Sequence, residues 1–160
     1  MIRNLQQLLA IREARLHALR AELVKAVAER AEVDREAAAL DSELTQIAEQ
    51  RRMWEDQWQN WLRDDRILRH GQEYNLYHVT LTAWAEDVQE QRAEVAMRLQ
   101  AANEQVSIAR DALLKAQQRV EVLRREHTAR VTRTRAHAVG LVEARMLEDQ
   151  EASRWPLHTP

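Results

Sequence analysis

"LRHGQEY", residues 68–74, lies where one repeating apolar stripe arriving from the N-terminal side stops and a second one starts. Its Gly71 is one of only two glycines in 160 residues, the other being Gly140, and the only prolines are Pro156 and Pro160. Proline and glycine are the strongest punctuation a helical backbone has, so nothing interrupts the chain between Met1 and His70 or between Gln72 and Val139. The spacing predicts two very long helices, about 2–69 and about 74–150, with residues 151–160 as a flexible tail in which Pro156 ends any helix. Gly71 can take the positive φ that terminates a helix, which puts the expected turn near Gly71.

Outward from that glycine, the two stripes have the same period. Alternating steps of three and four from Ile2 reach Leu5, Leu9, Arg12, Leu16, Leu19, Leu23, Ala26, Arg30, Val33, Ala37, Leu40, Leu44, Ile47, Arg51, Trp54, Trp58, Trp61, Asp65 and Leu68, and sixteen of these twenty positions are apolar. A repeat of 3.5 residues sustained this long keeps one face against a partner helix, the signature of a left-handed coiled coil. The polar exceptions Arg12, Arg30, Arg51 and Asp65 either fix register or extend their charged heads to water. The second walk runs Tyr74, Tyr77, Leu81, Trp84, Val88, Gln91, Val95, then Leu99, Ala102, Val106, Ala109, Leu113, Ala116, Val120 and Leu123. Its two consecutive fours, Gln91 to Val95 to Leu99, predict a stutter there. Past Leu123 the stripe degrades onto His127, Arg130, Thr134 and His137.

Two stripes of matching length around Gly71 predict an all-α fold: a long antiparallel two-helix coiled-coil hairpin, a rod on the order of 100 Å long at the rise of an α-helix. Opposed residue numbers should total about 142 if the turn is centred on Gly71. The rival is one continuous helix in a parallel dimer. The hairpin is preferred because Gly71 stands where the stripes meet.

Composition agrees with a thin, extended core. Aromatic residues make up 4% of the chain and charged residues 31%, and the apolar remainder is largely alanine and leucine, a mixture suited to long helices. The net charge of −2 marks the chain as neither a general nucleic-acid binder nor a strongly acidic protein. The absence of cysteine excludes disulfides and thiolate zinc sites, and fits a reducing compartment such as the cytoplasm. No stretch approaches the roughly 18–20 uncharged apolar residues of a membrane span. The Arg-rich start continues in phase into the next fifty residues, and is therefore read as the first turns of helix 1 and not as a transit peptide.

Catalytic and metal patterns are missing from the sequence: no Gly-rich phosphate loop, no cysteine nucleophile, no His-Glu-x-x-His or Glu-x-x-His spacing. His17 and His127 are expected to approach across the hairpin, but two ligands without a carboxylate are an ordinary solvated pair. No cofactor is expected. Two surfaces stand out instead. Four of the five tryptophans and both tyrosines fall between residues 54 and 84, which in the expected hairpin is the tip; Trp54, Trp58, Trp61, Tyr74 and Tyr77 either cap a thin core or leave a docking surface partly exposed. At the opposite end, "RREHTARVTRTRAH", residues 124–137, holds five arginines against one glutamate and should lie beside residues 5–18 with Arg12 and Arg15. Arg12, Arg15, Arg124, Arg125, Arg130, Arg133 and Arg135 are thus the candidate basic end, suited to an acidic partner or simply solvated. These basic segments carry no aromatic residue for base stacking, so no nucleic acid is expected.

A chain that opens in helix with "MIRNLQQLLAIREARLHALRAEL" and continues as two long charged helices turning near the middle resembles the type III secretion stalk proteins, the YscO/SctO group and its flagellar relative FliJ. The likeness spans roughly Ile2 to Gln150; the tail "ASRWPLHTP" has no counterpart in it. It implies a non-enzymatic shaft, similar in shape to that of the rotary ATP synthase gamma subunit, at the cytoplasmic face of the inner membrane. On this resemblance the basic end would enter the bore of a hexameric secretion ATPase. The aromatic tip would face the export-gate membrane protein, and secretion chaperones would be further partners.

Overall fold

The computed structural model describes residues 2–64 and 67–154, and within them the chain is all-α: two long helices packed against each other as a hairpin. Helix α1 runs Ile2–Arg63 and α2 runs Ile67–Arg154. The expectation for Asp65 as a seam residue lies outside the described residues, as do those for the tail from residue 155 and for the Leu68 side chain.

The break between helices falls between Arg63 and Ile67, several residues before Gly71. Gly71 is helical, has no positive φ, and an added Cβ there would meet nothing within 4 Å. The physical reason is a neighbouring charge. Asp64, at the turn that follows α1, disfavours continuation of that helix, because a carboxylate opposes the negative end of its dipole. The last bond of α1 is donated by the Asp64 N–H to the Asn60 carbonyl, at 3.1 Å. Glycine was permissive at 71 but not required there.

Moving the break moves the register. In the part spanning Ala21–Arg110, opposed pairs have residue numbers totalling 131 to 134, about ten below the expected 142. The core of this part is Ile47, Leu81, Ala85 and Val88, with Leu40, Leu44, Trp54 and Trp84 packed against it. Ala37, Val95 and Val106 are also buried. Beside the seam, Arg92 donates to Asp41 at 2.8 Å and Arg98 grips Glu36 through two bonds of 2.8 and 3.3 Å. Both guanidinium pKa values are raised above the ordinary arginine value, first by the hydrogen bond to the partner carboxylate; desolvation opposes this, ranking ahead of the carboxylate's charge at Arg92 and behind it at Arg98.

The α1 stripe is buried or half-buried at nearly every predicted position, with the Arg12 and Arg51 side chains exposed. Arg51 donates to the Thr82 hydroxyl on α2 at 3.2 Å, while Arg30 is half-buried. On α2 the inward residues are Leu81, Ala85, Val88, Arg92, Val95 and Leu99, an unbroken alternation of fours and threes. Ala85 and Arg92 replace the expected Trp84 and Gln91 in phase, and the stutter expected between Val95 and Leu99 falls instead at Tyr77, Leu81 and Ala85, two consecutive steps of four. Asp41 is the reason: it gives an arginine at 92 a charge partner that a seam position otherwise lacks.

The part formed by residues 1–20 and 111–160 has its own small core of Leu5, Leu16, Leu19 and Val120. Here α1 covers α2 only as far as Val131; from Thr132 to Arg154 every residue of α2 is exposed. No described helix is long and apolar enough to cross a membrane.

Candidate interaction surfaces

Next to the break between helices, the aromatics form a ladder. Trp54 stacks on Tyr77 with ring centroids 4.0 Å apart, Trp58 on Tyr74 at 4.5 Å, and Trp61 on His70 at 4.3 Å. Trp54 also meets Trp61 edge-on at 6.0 Å, one heptad along α1. The seam spacing puts these rings on one stripe of each helix, and the register brings them level. Flat rings thus fill an interface too thin for a conventional core. His70 is the rung that sequence reasoning missed; it also faces Glu73 at 3.4 Å.

The ladder serves as a core cap, and it remains half-exposed. Trp54, Trp58, Trp61 and Tyr74 are half-buried and Tyr77 is 43% exposed. Around it stand exposed apolar residues that the heptad pattern assigned to neither face, Met53, Leu76 and Val79. Apolar side chains off the stripe, next to exposed aromatic edges, were the available signal for them.

In the other part, the seven candidate arginines divide. Arg124 is held by Glu13 at 2.7 Å, Arg125 by Glu121 at 3.0 Å, and Arg130 by Glu126 one turn earlier, so these charges are locally neutralised. Arg133 and Arg135 lie on the uncovered segment of α2. Arg12 and Arg15 instead share a groove with Lys115 and Arg119, together with Leu19, Ala112 and Ala116. A second, wider groove of about 550 Å³ adds Leu8, Val122 and Leu123 beside Arg12, Lys115 and Arg119. Among the described residues none of these four cations has an ion-pair partner.

Lys115 and Arg119 were not among the expected cations of this end, since they lie N-terminal to the arginine-rich run 124–137 on which the sequence reading rested. The groove is lined by Arg12, Arg15 and Leu19 of α1 and by Ala112, Lys115, Ala116 and Arg119 of α2. The shifted register separates His17 from His127. Since Arg124 reaches Glu13, His127 stands about seven residues, some 10 Å of helix, from the level of His17. His127 is half-buried, and its buried Nε2 has no hydrogen-bond partner among the described residues. Among the described residues no group of three His, Asp or Glu side chains converges as a metal site.

The surfaces define an all-α hairpin with an aromatic-capped end in one part and an unpaired cationic groove in the other. Comparison with protein families, with curated proteins and with solved structures returns no match.

Proposed function

We propose that this chain is a non-enzymatic coiled-coil stalk of a type III secretion system, at the cytoplasmic side of the inner membrane, binding a hexameric secretion ATPase and an export-gate protein. What carries this reading is the segregation of surface chemistry on one helical hairpin. Four unpaired cations, Arg12, Arg15, Lys115 and Arg119, gather in one part, and the half-exposed aromatic ladder with Met53 and Leu76 lies in the other. The cationic groove suits an acidic surface lining an ATPase bore, and the ladder suits an apolar docking patch. Secretion chaperones are additional partners on this reading.

The test is a cross-linked pull-down from the native cell followed by binding titrations with charge and aromatic variants. A hexameric ATPase and an export-gate protein should both be recovered. Arg12→Glu with Arg119→Glu should then weaken ATPase binding at least about tenfold while leaving gate binding intact. Trp58→Ala with Trp61→Ala should weaken gate binding more than it lowers helix content. Recovery of other coiled-coil chains and no ATPase would replace the stalk by a scaffold that bridges subunits without coupling them.

A further inference from the structure

We infer that the uncovered segment of α2, residues 132–154, pairs antiparallel with the same segment of a second copy of this chain. In the described structure every residue of this segment is exposed, and Val139, Val142 and Met146 are 56%, 54% and 62% exposed. These three fall on one stripe with Arg135 before them and Asp149 after them, at spacings of four, three, four and three. Gly140, in mid-segment on the opposite face, costs helix stability, so a helix here benefits from packing more than from its own propensity.

The stripe reads basic, apolar, apolar, apolar, acidic, and it is self-complementary only when reversed. Antiparallel pairing centred on Val142 sets Arg135 against the second copy's acidic position at each end, Val139 level with Met146, and Val142 against its own equivalent. Parallel pairing would oppose arginine to arginine and aspartate to aspartate, which is destabilising. The required geometry already occurs in this protein. Trp54, Trp58 and Trp61 meet Tyr77, Tyr74 and His70 with the same spacing on each helix and the same alternation of level, totals of 131 and 132, that 284 and 285 would give here. The two-fold relation makes the contact isologous, so it closes at two chains and does not propagate. It uses a different stretch of α2 from the Lys115 and Arg119 groove, and stands independently of the stalk reading.

The experiment uses the full chain in sedimentation equilibrium over a range of concentrations and salt. A monomer–dimer equilibrium is expected, with the dissociation constant raised at least about tenfold by Arg135→Glu alone and by Asp149→Arg alone. The two changes together in one chain should restore it, which a structural effect on folding would not do. The chain has no cysteine, so Val142→Cys under mild oxidant should give a cross-linked dimer, and Val139→Cys should not. A monomer at all concentrations would overturn the inference. So would a dimer indifferent to both charge reversals, cross-linking through Val139→Cys, or capture of this face by another protein in preference to a second copy.

Discussion

A double-mutant cycle on the aromatic ladder tests the register directly. Trp58 and Tyr74 are stacked at 4.5 Å with planes 17° apart, and both are half-buried. Removing a fully buried tryptophan costs about 3–5 kcal/mol, so Trp58→Ala should cost about 2 kcal/mol, and Tyr74→Ala a similar amount. The stack itself contributes about 0.5–1.5 kcal/mol beyond area burial, so the double variant should cost less than the two singles added, by about 1 kcal/mol. The control is Trp58→Ala with Trp84→Ala. A turn centred on Gly71 would place these two opposite one another, whereas here Trp84 packs on the Ile47, Leu81, Ala85 and Val88 cluster. That pair should be additive within about 0.5 kcal/mol. Urea unfolding followed by far-ultraviolet circular dichroism gives all six free energies. Additivity at Trp58/Tyr74, or coupling at Trp58/Trp84, would refute this register.

Gly71→Ala should stabilise the chain by about 0.5–1 kcal/mol, because the residue is helical with open space at its Cβ; a turn with positive φ would give a loss instead, and thermal melting distinguishes the signs. The Arg92–Asp41 and Arg98–Glu36 pairs should lose strength with salt and not with mild alkali. Their raised arginine pKa values contribute stability that is fully present below the ordinary arginine pKa and lost only as pH climbs through the still higher folded value. The melting difference between wild type and Arg98→Gln should therefore stay flat from about pH 7 to about pH 9 and shrink as salt is raised. A difference that collapses within that pH window would place the pairing elsewhere.

The helical class and the inward stripe of α1 were legible from spacing alone, down to burial of Leu5, Leu16, Leu19, Ala37 and Ile47. On α2 the spacing left a choice it could not make. Trp84 and Ala85 are both apolar, Gln91 and Arg92 both polar, and either pair continues a stripe. Only Asp41 on the facing helix decides for Ala85 and Arg92, and which residue of α1 faces Arg92 depends on where the chain turns. The glycine was the strongest local punctuation, but the chain turns at Asp64, whose carboxylate opposes the dipole at the end of α1. From that displacement come the stacked His70 and the uncovered end of α2.

The stripe cannot by itself hold the register, because sliding one helix by a heptad returns apolar residues to apolar residues. In the Ala21–Arg110 part the specificity therefore resides in pairs that do not repeat every seven residues. A slide of one heptad in one direction would bring Arg92 from the level of Asp41 to that of Ala48, next to buried Ile47. A slide the other way would set it level with Asp34, so the ion pair alone does not fix the alignment and the ring pairs must. Either slide would unstack Trp54, Trp58 and Trp61 from Tyr77, Tyr74 and His70. The aromatic ladder thus has a structural duty independent of any partner: it favours the present alignment, in which three ring pairs stack, over its one-heptad slides. A ligand docking on its exposed edges would bind only the correctly registered form, so binding and register are thermodynamically linked, and weakening the ladder should lower apparent affinity even for a partner that touches none of the substituted rings.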